Sequence, residues 1–213
     1  MLKFFKDEYG IISLTLSQLG LILASGILLA AVFSFIFLSD MHKNAELKNI
    51  ATSFSTVIHG MDTRFFENTT KFWFPNKDYH YDALLSTEFI TINAEGNWED
   101  EPSFKERFLL KPWPRTTNPK WVSRKDLHNY LFLTYGHTGN ESDPINSSDI
   151  DRVKSDLFTD RDISNKTFAL NPIQIDVNKP VFVEKVFIHF DRDDDGWDKK
   201  IDEKIGFIIL YQI

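Results

Sequence analysis

The chain has 213 residues, which is enough for one small domain with an anchoring segment but too short for a multidomain enzyme. Its composition, 42% hydrophobic and 15% aromatic with 20 phenylalanines, excludes a disordered chain and favours a β-rich core. It has no cysteine, so disulfides, thiolate metal sites and cysteine nucleophiles are excluded. The net charge of −7 argues against nucleic-acid binding, which requires a basic surface.

A membrane-spanning helix is predicted near the N-terminus. Residues 9–39 contain no charged side chain, and residues 11–38 are dominated by Leu, Ile, Ala, Phe and Val. About 20 helical residues cross the hydrocarbon core at roughly 1.5 Å per residue, so the segment is long enough to span it. A cleaved secretory signal usually has a shorter apolar region that ends in small residues, whereas this segment continues as FSFIFL over 33–38. These features favour a retained anchor.

Small residues recur along one face of the predicted span. Their spacings are 4, 3, 4 and 7, which keeps them on a single side of a helix, and they are Ser13, Ser17, Gly20, Ala24 and Ala31. Small residues let membrane helices approach closely, so this small-residue face is predicted to pack against another membrane helix. The alternative is that such residues are simply common in membrane helices and the face contacts only lipid.

The charge distribution predicts a single-pass protein of the cell membrane with its N-terminus inside. Lys3 and Lys6 precede the span, and the positive-inside rule counts mainly such cations. Residues 1–38 carry two basic and two acidic residues, so the whole net charge of −7 lies in 39–213. That portion also contains four N-x-[S/T] sequons, which support an external location and are candidate glycosylation sites: Asn68, Asn140, Asn146 and Asn165.

An amphipathic helix is predicted after the span, over residues 39–65. Its apolar residues recur at spacings of 3, 4, 3 and 4, at Leu47, Ile50, Phe54, Val57 and Met61. No Gly or Pro separates this pattern from the span, so one nearly continuous helix is expected. The alternative is a separate helix capped by Asp40. Two heptads are too few for a coiled coil, and we expect the helix to cover one side of a sheet.

Residues 66–213 are predicted to form an extracytoplasmic β-rich domain. Alternating patterns predict strands of an antiparallel meander and then three later strands, at 71–74, 79–85, 88–94, 103–110, 173–177, 186–190 and 205–213. The last of these is apolar on both faces and should lie centrally in a sheet. A helix is predicted between an N-cap at Ser123 and a C-cap at Gly136, and a short marginal one over 149–158. The predicted fold class is α+β: a long N-terminal helix and an antiparallel sheet or sandwich with one or two short helices.

One local motif indicates a metal site. The run from Asp191 to Gly196 places aspartates at alternating positions before a glycine, so that carboxylates can converge on one calcium ion. The candidate ligands are Asp191, Asp193, Asp195, Trp197 through its carbonyl, Asp202 and Glu203. Predicted strands flank the motif and its twelfth position is Asp, so it resembles the calcium loops between strands of extracellular β domains more than an EF-hand. The alternative is a solvated acidic turn without a metal.

No catalytic constellation is recognisable in the sequence. The chain lacks a nucleophile elbow, a P-loop, a dinucleotide fingerprint and an H-E-x-x-H zinc motif, and its six histidines are scattered. The five tryptophans could form a sugar-stacking platform, but aromatic residues at this density are more typical of a core. The chain is therefore predicted not to be an enzyme, and an ectoenzyme is the least favoured alternative.

The N-terminal layout resembles archaeal pilin-like proteins of the type IV family. A short charged leader, residues 1–10, ends in Gly10, an uncharged helix begins at Ile11, and an amphipathic extension and a β-rich domain follow. The resemblance implies that a prepilin peptidase cleaves between Gly10 and Ile11 and that the freed helices pack into a filament core. Two positions depart from the family: Tyr9 replaces a charged residue, and Thr15 stands where many bacterial pilins carry glutamate. The alternative is an unprocessed single-pass surface protein whose β domain binds glycans or an envelope protein.

Overall fold

The computed structural model describes residues 4–94, 103–116, 120–191 and 201–213, and it describes no side chains for 4–17, 40, 201 and 202. The protein has an α+β fold, as predicted. It divides into two compact units, Met1–Ala45 and Glu46–Ile213. We call the second unit the head.

Helix α1 begins at Phe4 and ends at Asp62, which confirms the prediction of one continuous helix. The part of α1 that belongs to the head buries its apolar face, as the amphipathic pattern predicts. The buried residues are Leu47, Ile50, Ala51, Phe54, Ile58 and Met61. Val57, which the pattern also placed on this face, is only partly buried.

The described part of the head contains eight strands and two further helices. The strands are β1 Asn68–Phe72, β2 Tyr81–Leu85, β3 Phe89–Ala94, β4 Ser103–Arg107, β5 Trp113–Pro114, β6 Ile173–Ile175, β7 Val181–Asp191 and β8 Ile201–Tyr211. The helices are α2 Arg124–Tyr135 and α3 Ile150–Leu170, and a single 3-10 turn, Ser147–Asp149, precedes α3.

The strands form two four-stranded sheets. The first sheet has the order β1-β7-β8-β5 and the second the order β4-β3-β2-β6. The pairs are antiparallel except for β5 and β8, which are parallel. Strands β2, β3 and β4 form the predicted meander. Placing the segment at 71–74 in that meander was wrong: the strand there is β1, which pairs with β7 of the other sheet, and such distant pairing leaves no local sequence signal.

Each face of the first sheet covers a separate hydrophobic core. One core is shared with α1 and the second sheet, and the other lies under α2 and α3. Strand β8 contributes to both cores, because Ile208 and Leu210 lie in the first while Phe207, Ile209 and Tyr211 lie in the second. This strand is flanked by β7 and β5, so the prediction of a central strand covered on both faces is confirmed.

The helix predicted after Ser123 is confirmed as α2, including both of its caps. Ser123 and Asp126 form a capping box, and Gly136 ends the helix with a left-handed φ of 79°. The predicted short helix over 149–158 was too short, since α3 continues to Leu170. It contains no Gly or Pro and ends two residues before Pro172, where a helix is disfavoured.

Candidate functional site

The apolar part of α1 exposes its side chains along the described residues from 18 to 38. Leu21, Phe33 and Phe35 expose 74%, 67% and 76% of their surface. The helix is long and apolar enough to cross a membrane, and the apolar window is not buried within the protein. Water-soluble monomers rarely expose so large a continuous apolar surface, and such surfaces are typical of sites that contact a membrane or another protein.

The structure describes the side chains of only part of the predicted small-residue face. Gly20, Ala24 and Ala31 are all exposed, whereas the side chains of Ser13 and Ser17 lie outside the description. A Cβ added at Gly20 would meet no atom within 4 Å, so a larger residue there meets no steric obstacle within the chain itself.

The predicted processing site lies in a part of α1 for which only the backbone is described. Gly10 and Ile11 are both helical, and their side chains lie outside the description. Cleavage after Gly10 therefore stays a prediction.

The predicted calcium motif lies between two paired strands. β7 and β8 are antiparallel, with an irregularity between Phe190 and Asp191, so the expected flanking strands are confirmed. Residues 192–200, and with them Asp193, Asp195 and Trp197, lie outside the described residues, as does the side chain of Asp202. Among the other candidate ligands, Glu203 has both carboxylate oxygens 2.9 Å from Lys154 Nζ. The described side chains contain no group of three or more that could hold a metal, and the calcium site stays a prediction.

The four sequon asparagines occupy different environments. Asn68 begins β1 and accepts a hydrogen bond from the next backbone N–H at 2.8 Å, and Asn140 accepts three bonds within its own turn. Asn146 Nδ2, the atom to which a glycan would attach, lies 2.8 Å from His137 Nε2. Asn165 lies within α3, and its Oδ1 is buried without a hydrogen-bond partner.

Three of the five tryptophans belong to the described residues, and two of these are core residues. Trp113 and Trp121 are buried, and their ring centroids lie 4.8 Å apart. Trp73 is 61% exposed, while Trp98 and Trp197 lie outside the description. The core interpretation is therefore correct for Trp113 and Trp121, and Trp73 alone among the described tryptophans is available to a ligand.

Sequence reasoning missed two carboxylates that hold α2 against the first sheet. Glu184 of β7 is only 6% exposed, and its Oε2 accepts a hydrogen bond from the backbone N–H of Arg124 at 2.6 Å. Its Oε1 accepts a second bond from Thr69 Oγ1 at 3.0 Å. Arg124 is the first residue of α2, so Glu184 places a negative charge at the helix N-terminus, where the helix dipole favours it.

The second carboxylate, Glu67, connects α2 to the chain just after α1. Glu67 Oε1 accepts a hydrogen bond from the backbone N–H of Phe187 at 3.0 Å and lies 3.3 Å from His128 Nε2. Burial would raise the pKa of Glu67, but these two hydrogen bonds and the charges of His128 and Arg124 outweigh it, and the pKa is lowered. Burial likewise opposes the charge of His128, yet the contacts with Glu67 and the Thr138 carbonyl raise its pKa.

These partly buried ion pairs of Glu67 and the hydrogen bonds of Glu184 tie distant elements of the head together, and within the described part of the chain they make no cluster of metal ligands. Comparison of the chain with protein-family models, with curated proteins and with solved structures finds no match. The pilin-like resemblance of the N-terminal layout therefore stays a prediction.

Proposed function

We propose that the chain is a non-enzymatic, membrane-anchored surface protein and a pilin-like subunit or minor component of a type IV filament or secretion apparatus. The observation that carries the proposal is the exposed apolar surface of α1. Residues 19–38 include thirteen Leu, Ile, Phe and Val residues. Each favours membrane insertion by about 0.3–0.6 kcal/mol at the centre of a helix, so these thirteen side chains contribute at most roughly 4–8 kcal/mol. Lipid or a bundle of like helices provides the environment that this surface requires.

In this proposal the N-terminus lies inside the cell and the acidic head outside. The lysines before the span and the net charge of −7 after it support this orientation. The chain has no cysteine, so a single introduced cysteine can report the orientation of the chain in the membrane. The two variants are Lys3→Cys near the N-terminus and Lys125→Cys on the exposed side of α2. In intact cells that lack a prepilin peptidase, so that residues 1–10 stay on the chain, a membrane-impermeant maleimide should label the second variant and not the first. The reverse pattern contradicts the orientation.

Filament assembly requires the small-residue face to meet a neighbouring helix. Gly20→Leu enlarges that face, and Gly26→Leu is the matched control because it lies six residues further on, on another side of the helix. Neither added side chain meets an atom of the same chain within 4 Å at its Cβ. The measurement is the yield of helix dimers captured by chemical crosslinking in membranes. We expect Gly20→Leu to reduce this yield by roughly fivefold or more, and Gly26→Leu to leave it unchanged. Equal behaviour of the two variants contradicts packing through this face.

Processing separates the pilin-like function from its main alternative. Mass spectrometry of the membrane-extracted protein, produced with a prepilin peptidase, should give a chain that begins at Ile11. An intact chain that begins at Met1 contradicts the pilin-like function. It favours instead an anchored single-pass protein whose head binds a glycan or an envelope protein, an alternative that the exposed Trp73 supports.

A further inference from the structure

We propose that the head binds a neutral saccharide in a groove between the β1–β2 connection and the turn that follows β6. The groove has a volume of about 400 Å³, within the roughly 300–1,000 Å³ range of small-molecule sites. Its lining includes Trp73, Asn76, Lys77, Tyr79, His80 and Asn178. The proposal does not depend on filament assembly, because every lining residue belongs to the head.

The aromatic wall of the groove is an indole held outward by the core behind it. Phe72 and Phe74, the neighbours of Trp73, pack against Phe54 with ring centroids 5.0 and 5.8 Å away. Since both neighbours face the core, Trp73 is directed to the opposite side and remains 61% exposed. Because this indole stays in water, the head gains little of the free energy that burial of the ring would provide. The C–H face of a pyranose ring is a flat apolar surface that can cover an indole.

The polar lining suits the hydroxyl groups of a sugar. Within the described part of the chain, the exposed side chains of Asn76 and His80 make no hydrogen bond, so their donors and acceptors are available to a ligand. An amide presents donor and acceptor atoms side by side, which matches adjacent hydroxyl groups. Asn178 Nδ2 donates to Asp176 Oδ1 at 3.3 Å, and this leaves the Asn178 oxygen as an acceptor.

The charges at the groove favour a neutral ligand over an anionic one. Lys77 is a cation in the lining, but its Nζ lies 2.6 Å from Glu46 Oε1, and both side chains are partly buried. The ammonium charge is therefore already compensated by a carboxylate of the head. An anionic ligand would place its charge near the Glu46 carboxylate, which opposes its binding, whereas hydroxyl groups carry no charge.

Both walls are held in place without a ligand. On one side, Tyr81 Oη donates a hydrogen bond to the Pro75 carbonyl at 2.6 Å. On the other side, Gln212 Nε2 donates to the carbonyls of Asp176 and Lys179 at 2.9 and 3.2 Å, which fixes the turn between β6 and β7. Fixed walls lose little conformational entropy when a ligand binds.

The test uses the full chain in phospholipid nanodiscs, since alkyl-glycoside detergents would themselves present sugars. Saturation-transfer NMR with neutral disaccharides of glucose, galactose, mannose and N-acetylglucosamine identifies a bound sugar, which is then titrated against variants. Trp73→Ala is compared with Phe66→Ala, which removes an aromatic residue of matched exposure, 62% against 61%. Asn76→Ala removes an amide of the groove.

We expect at least one neutral disaccharide to bind and Trp73→Ala to weaken it roughly tenfold or more. Asn76→Ala should weaken it less, and Phe66→Ala should leave it unchanged. All three variants should melt with the midpoint of the unmodified chain, because the replaced side chains are exposed. The proposal is overturned if none of the neutral disaccharides binds, if Trp73→Ala binds as well as the unmodified chain, or if Phe66→Ala loses as much affinity.

Discussion

The contact between Glu67 and His128 makes the stability of the head depend on pH. The Thr138 carbonyl and the Glu67 carboxylate are both acceptors, so His128 must carry protons on both ring nitrogens to bond them at 2.8 and 3.3 Å. The pKa of His128 is accordingly raised above its ordinary 6.5, although burial and the nearby Arg124 oppose the charge. We expect His128→Gln to remove this dependence on pH.

The direction follows from proton linkage. A histidine whose pKa is raised in the folded state stabilises fully below its unfolded pKa, here 6.5, and that stabilisation is lost as the pH rises through the folded value. The lowered pKa of Glu67 acts at acidic pH. The stabilisation by Glu67 is fully present above pH 4.5, its ordinary pKa, and is lost as the pH falls through the lower pKa of the folded state. The contribution of the pair is therefore greatest between these two ordinary pKa values.

The magnitude follows from the contact that disappears. Deprotonation leaves the hydrogen bond to Thr138 and removes the donor to Glu67. A hydrogen bond to a charged group contributes about 1.5–3 kcal/mol. The distance of 3.3 Å exceeds the about 2.7–2.9 Å of strong charge-assisted bonds, so we expect the lower end, about 1.5 kcal/mol.

The assay is urea unfolding of the head in nanodiscs, followed by tryptophan fluorescence, at about pH 6 and about pH 9. The difference in unfolding free energy between the unmodified chain and His128→Gln should shrink by about 1.5 kcal/mol at the higher pH. His189 requires its own control, His189→Gln, because burial lowers its pKa and it titrates with the opposite slope. A difference that stays constant or grows with pH would refute the assignment of a charged His128.

The core, a helix cap and the predicted calcium loop give three further tests. Phe54→Ala should lower the unfolding free energy in urea by about 3–5 kcal/mol, because Phe54 is fully buried, and a loss below about 1 kcal/mol would contradict its central place in the first core. Gly136→Ala should lower the free energy of unfolding by about 1 kcal/mol, because Gly136 has a φ of 79°. The control Gly60→Ala, in α1, should raise it by about 0.5–1 kcal/mol, and equal effects of the two substitutions would argue against the left-handed cap. Calcium should raise the thermal midpoint of the unmodified chain relative to chelator but not that of Asp195→Asn, and equal midpoints for the unmodified chain would exclude the calcium site.

Elements with strong local signals could be predicted from the sequence. The capping box of α2 combines a serine and an aspartate three residues apart, and β8 is apolar at successive positions, so each could be recognised from its own residues. The missed features depend on distant partners. The two-residue strand β5 exists only through its parallel pairing with β8, and β1 could not be assigned to β7, which lies more than a hundred residues away.

The same distinction applies to the candidate sites. The apolar helix and its small-residue face could be read directly, because membrane insertion depends on a continuous local run of side chains. The contacts of α2 could not, since Glu67 and His128 are 61 residues apart and Arg124 and Glu184 are 60 apart. The saccharide groove likewise joins the segment after β1 to a turn about a hundred residues later. Trp73 gave the local signal, but only the alternation of exposure around it separates it from a core tryptophan.

The two helices on the outer face of the first sheet both combine apolar contacts with ion pairs, and α3 forms its ion pairs through Lys154 with Glu203 and Asp160 with Arg115. α3 buries Ile150, Val153 and Leu157, whereas the buried residues of α2 are Leu127 and Leu131. The N-terminal half of α2 is also held by two carboxylates. Glu184 satisfies a helix-terminal N–H, and Glu67 pairs with His128 and Arg124. Apolar contacts are insensitive to protonation, and ion pairs are not. Histidine is the side chain that ordinarily changes charge between about pH 5 and 8, and His128 belongs to α2. Of these two helices, α2 is therefore the one whose attachment should respond first as the pH rises through this range.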